Sequence, residues 1–315
     1  MEMQGVLEAY RAMQPAKVLQ VVVNDPVCDD FAPQRKFIYR FLKTYHDEIE
    51  SVQADADDGL VEALMEFVLN PKMAEESVNS EATHHVSFTI PSANSSTVVT
   101  CRVASVFNEV GLKLWEAGWM LAEYAIAHES DFRGRNVLEL GAGVGFTGMV
   151  LSCICPASRI VLTDYAPNVM QNLRYNVEIN ASKFLCPVDV QTLDWDTWQP
   201  TDQDKVRPDI LLAGDCVYDV AAFPSLTRVV QAFLGNNGGS SSQRVAIFAA
   251  TIRNQKTFQA FLDQLAAHRI EYVDITEPAF EKMGEQIYSY SNRDQMRLCR
   301  LSRSVSDDAT PAPTE

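Results

Sequence analysis

Three carboxylates stand at or near the ends of apolar runs. Glu139 lies in Val137-Leu138-Glu139-Leu140, Asp164 follows Arg159 to Thr163, and Asp215 follows Ile210-Leu211-Leu212-Ala213-Gly214. Such runs are expected to be buried strands of a parallel sheet, and acids at their carboxyl ends face the edge where open α/β folds bind ligands. An acid there can pair a cation or accept from a sugar's hydroxyls. The first run leads into Gly141-Ala142-Gly143-Val144-Gly145 and an apolar helical stretch, Phe146 to Ile154. Glycines in that turn let backbone approach a ligand closely.

These residues suit a nucleoside cofactor that carries no phosphate. S-adenosylmethionine has an ammonium that pairs with an acid at Glu139 and a ribose that suits Asp164. Gly143-Val144-Gly145-Phe146-Thr147-Gly148 also satisfies the dinucleotide pattern GxGxxG. Register argues against that use. Counted from the end of the strand the first glycine is Gly141, which puts bulky Phe146 at the third position, where close helix–strand packing is needed. Glu139 would also repel a pyrophosphate. Asp164 has a second reading, as an N-cap for a helix starting near Pro167.

Aromatic residues sit close to these acids. Trp195, in Leu193-Asp194-Trp195, offers a flat face to an adenine or else belongs to the core. Tyr218, in Asp215-Cys216-Val217-Tyr218, can face a positively charged amine that Asp215 orients. Asp215 could instead cap the following helix. Trp115-Glu116 opens a helix, and either contacts the cofactor or packs as a lid. None of the five histidines has a partner at metal-ligand spacing, and no P-loop or nucleophile elbow is present.

The elements that must position these residues alternate. Strands are expected at 136–140, 159–163, 188–193, 209–214 and 245–251. Helices are expected at 146–155, 167–179, 220–234 and 255–268, with a further helix from Trp115 to Ala127. Two late strands, 271–276 and 296–301, joined by a loop alone, are expected to form an antiparallel edge. Before this α/β region, residues 1 to about 80 look helical, with Phe37, Phe41, Leu42 and Tyr45, and then Leu60, Leu64, Phe67 and Val68, at helical spacing. A polar linker from Ser51 to Gly59 separates these two groups. Val86, Phe88 and Ile90 alternate, as do Val98, Thr100 and Arg102, which is a hairpin signal. The expected organisation is a helical region at 1–84, a hairpin and connector at 85–110, an α/β domain at 111–302 and a disordered tail at 303–315. Gly235 to Gln243 is expected to be a flexible loop.

The chain has 315 residues, with 47 % hydrophobic and 22 % charged. Its net charge of -16 weighs against a nucleic-acid partner and suits a basic one. Seven cysteines are scattered without CxxC spacing, and Cys153 and Cys155 fit a helix core. No apolar run approaches the ~20 residues of a membrane span. Met1-Glu2-Met3-Gln4 lacks the start of a secretion signal. A cytoplasmic location follows as the expectation.

Together, Trp115-Glu116-Ala117, Glu139-x-Gly141-x-Gly143, Leu193-Asp194-Trp195 and Asp215-x-x-Tyr218 resemble the seven-strand, class I methyltransferases, and within them the lysine methyltransferases of family 16. Phe248-Ala249-Ala250-Thr251-Ile252-Arg253-Asn254 and Pro33-Gln34-Arg35-Lys36-Phe37 narrow the resemblance to members that act on translation elongation factor 2. The resemblance covers roughly 30–302. It implies a Rossmann-like α/β fold and S-adenosylmethionine as cofactor. It also implies methyl transfer, up to trimethyl, to a lysine of elongation factor 2 as protein partner. The chain is expected to act as a monomer. It places cofactor contacts at Trp115, Gly141, Ala142, Gly143, Asp164, Trp195 and Gly214. Relatives often carry Ala at the position of Gly214 and Val at that of Cys216. Two other classes stay open: methylation of a small-molecule amine, and a binding protein that keeps the fold without catalysis.

Overall fold

The computed structural model describes residues 15–52, 58–69, 83–91, 97–105, 109–199, 208–235 and 244–303. The expected turn at 92–96, most of the linker at 51–59, most of the loop at 235–243 and nearly all of the tail lie outside those residues. The chain divides into two compact units, Met1–Lys113 and Leu114–Glu315.

The first unit contains helices α1 (Pro15–Val22), α2 (Pro26–Asp30), α3 (Arg35–Ser51) and α4 (Asp58–Leu69), and the hairpin β1 (Thr83–Ile90) and β2 (Thr97–Ala104). The inner stripe of α3 is Ile38, Leu42, Tyr45 and Ile49, spaced four, three and four residues apart. Phe37, expected on that stripe, is 63 % exposed, one position off the buried row, and Val68 of α4 is also exposed. The Ile38 stripe meets Val18, Leu60 and Phe67. The strands pair antiparallel from Thr83 opposite Ala104 to Ile90 opposite Thr97. The hairpin is tied to the helices by the His85 N–H, which donates to the Ala32 carbonyl at 3.0 Å.

The second unit is a sheet with helices. Its elements are α5 (Glu116–Ala127), α6 (Glu129–Phe132), β3 (Asn136–Leu140), α7 (Phe146–Ile154), β4 (Arg159–Asp164), α8 (Pro167–Asn180), β5 (Val188–Thr192), β6 (Ile210–Gly214), α9 (Phe223–Gly235), β7 (Val245–Thr251), α10 (Gln255–Ala267), β8 (Ile270–Asp274), α11 (Thr276–Met283) and β9 (Met296–Arg303). The seven strands lie in the order β5-β4-β3-β6-β7-β9-β8. From β5 to β7 all neighbours are parallel. β9 runs antiparallel to both β7 and β8. The connection between β8 and β9 is not a loop alone, because α11 sits in it, with only Thr276 and Ala279 buried. So polar a segment carries little helical signal.

After β3 the chain moves to β4 and β5 on one side, then returns to lay β6 and β7 on the other. A switch point therefore opens above the carboxyl ends of β3 and β6, where sheets of this type hold ligands. On one face Leu138, Leu140, Leu211, Ala213 and Phe248 pack with Phe223, Leu226 and Phe261 of α9 and α10. Burying each such side chain stabilises by about 1.5–3 kcal/mol, which keeps the strand ends rigid under the site. Cys153 and Cys155 are buried, as expected of core residues.

Candidate functional site

The glycine turn after β3 takes its shape from contacts no other residue would permit. Gly141 has φ +60°, and a Cβ there would come within 2.9 Å of the Cys216 Sγ and 3.5 Å of the Trp195 ring. Trp195 therefore covers the turn at the switch point. Arg228 of α9 fixes it there, donating to the Trp195 carbonyl at 2.7 Å and the Asp196 carbonyl at 3.0 Å. The close helix–strand approach falls at Gly148, not at the position that sequence register gives to Phe146. A Cβ on Gly148 would lie 2.2 Å from Leu162 and 2.7 Å from a Glu139 oxygen. Phe146 packs edge-on against Tyr288 instead.

Glu139 lies beneath the turn, only 3 % exposed. The Gly148 N–H donates to its Oε2 at 2.9 Å. Burial pushes its pKa up to about 8, against the opposing hydrogen bonds from Gly148 and Thr147. The carboxylate thus supports the start of α7 rather than opening onto the space above. Ala142 is held by its N–H, which donates to the Thr163 carbonyl at 2.8 Å.

Asp164 ends β4 and clasps the same turn. Its Oδ2 accepts from the Gly143 N–H at 3.0 Å, and its Oδ1 from the Tyr165 N–H at 2.8 Å. The N-cap of α8 is Ala166, without a side-chain bond, so Asp164 is not that cap. Oδ1 also accepts from the Ala166 N–H at 3.5 Å, while Oδ2 keeps a second lone pair that can accept from a hydroxyl.

Asp215 leaves β6 in a left-handed conformation, φ +52°, which non-glycine residues adopt at a cost of about 1–3 kcal/mol. It does not cap the next helix, where Asp219 does so for a short turn at Val220–Ala222. Its side chain, 9 % exposed, reaches across to the end of β7. There the Thr251 N–H donates to Oδ1 at 3.1 Å, and both Arg253 terminal nitrogens lie 3.4 Å from its oxygens. Arg253 also donates to Glu116 at 2.9 Å and stands 5.2 Å from the centre of the Trp115 ring. Gly214 packs against the first turn of α5, where a Cβ would meet the Gly118 Cα at 3.4 Å, an ordinary contact. Tyr218 is 59 % exposed. Its phenol pKa is raised, first by the covered part of the ring and then by Cys216, Tyr165, Asp219 and Asp164.

The structure therefore gathers two sets of residues. Glu139, Gly141, Ala142, Gly143, Asp164 and Trp195 build the turn and its cover, while Trp115, Gly214, Asp215 and Tyr218 line the exit of β6. Sequence reasoning gave no role to Arg253, Glu116 or Thr251. Glu116 entered only as part of the Trp115-Glu116-Ala117 motif and Arg253 only as part of the Phe248 to Asn254 stretch, neither with a role of its own.

A parallel sheet with this strand order and an antiparallel penultimate strand, closed by a glycine turn at the switch point, is the class I, Rossmann-like methyltransferase fold. The sequence model of the lysine methyltransferase family matches residues 102–268, and the chain belongs to that family. It is 30 % identical over 294 residues to human protein-lysine N-methyltransferase EEF2KMT, covering 90 % of this chain and 85 % of that protein. It is 23 % identical over 287 residues to protein-lysine N-methyltransferase EFM3 of Chaetomium thermophilum, covering 86 % and 84 %. Among solved structures, an O-methyltransferase of Bacillus cereus in complex with SAH matches with 13 % identity and a TM-score of 0.39, over 60 % of this chain and 81 % of that one. The cofactor is S-adenosylmethionine, the methyl donor that goes with the family. The residues present fit it: a flat indole over a bare glycine turn, and an acid with spare acceptor capacity at the end of β4.

Proposed function

We propose that this protein methylates a lysine side chain of translation elongation factor 2, up to the trimethyl form, acting as a monomer in the cytoplasm. The placement of Asp215 carries the reading. It is a nearly buried carboxylate, fixed by Thr251 and Arg253, at the switch point beside the glycine turn. The human relative supports the substrate, since its name joins protein-lysine methylation to that factor.

Roles follow for this chain's own residues. Trp195 would cover the adenine, Asp164 would accept from the ribose, and Trp115, Gly141, Ala142, Gly143 and Gly214 would shape the cofactor's bed. Glu139 would hold the turn from below, and pairing with the cofactor's ammonium would need it to give up its proton and turn toward the site. S-adenosylmethionine, when bound, supplies a methyl group on a sulfonium that is already a good leaving group. Alignment and exclusion of water are then the protein's main contributions. Asp215 would orient the incoming amine through its carboxylate, and Tyr218 would face its positive charge. The amine gives its proton to water before it reacts. The first unit would supply docking surface for a folded substrate, and no helix among the described residues is long and apolar enough to cross a membrane.

Labelled S-adenosylmethionine, offered with purified unmethylated elongation factor 2 and separately with small amines, tests this reading. Label is expected on the protein alone. Label on the free amines and none on the protein would replace it with a small-molecule methyltransferase.

A further inference from the structure

Asp215 shares its surroundings with a second acid and one cation, and the three do not balance. Glu116 and Asp215 face the single guanidinium of Arg253, which spans both and lies over Trp115. The contacts come from three elements: the start of α5, the exit of β6 and the exit of β7. Arg253 is 45 % exposed, whereas Asp215 is almost covered. Of the other titratable groups around Asp215, Asp164 is held by the Gly143 and Tyr165 N–H groups, and the thiol and phenol nearest to Asp215 are neutral. The Cys216 thiol is kept protonated, chiefly by burial and then by Asp164, Asp215 and Glu139. Tyr218 is likewise kept in its phenol form.

A carboxylate that receives a lysine faces a conflict. It must hold the side chain, yet every increment of attraction also favours the ammonium, whose lone pair is occupied. Two uncompensated acids would trap the substrate in that unreactive form. A guanidinium remains charged at any working pH and can meet both acids through its planar fork.

We propose that Arg253 is a positioning residue that shares the charge of Asp215 with Glu116, so that the target amine is aligned by Asp215 without being held as an ammonium. The inference rests on the reading of Asp215 as the amine's receiver. It adds to that reading a partner which touches neither the methyl group nor the amine.

The experiment is the pH profile of kcat for methyl transfer to elongation factor 2 at saturating S-adenosylmethionine, for wild type, Arg253→Gln, Arg253→Lys and Asp215→Asn. In kcat the acid limb reports the amine in the bound complex. Arg253→Gln is expected to move that limb up by about one pH unit, the size of one lost charge a few ångströms away in a partly wet site. KM for the protein should stay level or fall. Arg253→Lys keeps the charge and loses the fork, so its limb should stay within a few tenths of a unit of wild type while kcat drops. A merely structural role would lower kcat equally at every pH and leave the limb in place for both variants. That result, with Asp215→Asn still inactive, overturns the role of Arg253 and leaves the reading of Asp215 intact. If Asp215→Asn keeps full activity, or wild type labels no protein, the reading fails and takes the inference with it. Calorimetric S-adenosylmethionine affinity, unchanged in all variants, confirms that each is folded.

Discussion

At the scale of single residues, Gly141 and Glu139 show how closely the site is built. A side chain at Gly141 meets the Cys216 Sγ and must also adopt φ +60°. Gly141→Ala is expected to cost about 1–3 kcal/mol in thermal or urea unfolding and to weaken S-adenosylmethionine at least tenfold by titration calorimetry. An unchanged affinity would remove the turn from the cofactor's bed. Glu139 has an ordinary value of 4.5 that burial raises to about 8 in the folded chain. Between those pH values the unfolded chain has lost the proton that the folded chain keeps. The stability from the neutral acid is thus fully present below pH 4.5 and drains away as pH rises through 8. Glu139→Gln has no proton to lose. Its melting temperature relative to wild type should climb from pH 5 to pH 8 without cofactor, and a flat difference would contradict the assignment. Asp215 and Gly141 were legible because an acid or a glycine at the end of an apolar run is unusual. Arg253 was not, because its partners lie 38 and 137 residues away and only the closed sheet brings them together.

At the scale of elements, the apolar strands β3, β4, β6 and β7 announced themselves, since strands covered on both faces are nearly all apolar. The helices after them follow from the same alternation. What pins the segment between α11 and β9 could not be read in that way. Glu123 of α5, 2 % exposed, accepts from the N–H groups of Ile287 and Tyr288 and from the Tyr290 hydroxyl, each at 2.9 Å. Trp119 and Tyr290 stack nearby, with ring centres 6.0 Å apart. One buried carboxylate thus fastens a segment more than 160 residues further along the chain. Glu123→Ala leaves three donors without their acceptor and is expected to cost about 3 kcal/mol or more in urea unfolding. Glu123→Gln, which still accepts, should cost less. Equal and small losses in both would mean that the aromatic stack holds the segment alone.

At the scale of the whole molecule, the chain consists of a helical unit with a hairpin and an α/β unit that contains every residue assigned to chemistry. The residue pattern gave the α/β unit clearly because its strands and helices repeat. It gave the first unit less clearly because short amphipathic helices allow a neighbouring row to be mistaken for the buried one, as at Phe37. If the first unit serves docking, deleting residues 1–80 should abolish transfer to folded elongation factor 2 and leave S-adenosylmethionine affinity unchanged by calorimetry. Loss of both would make that region a structural support. The chain's charge of -16 agrees with a docking partner whose contact face is basic.

The most direct test of the account is peptide mass mapping of purified, unmethylated elongation factor 2 after incubation with S-adenosylmethionine and either wild type or Asp215→Asn. Asparagine keeps the size of the side chain and tolerates the left-handed backbone. The account predicts added methyl groups on one lysine with wild type and at least a hundredfold less with the variant, at equal cofactor binding. Methylation by the variant at the wild-type rate, or no methylated lysine with either protein, would contradict it.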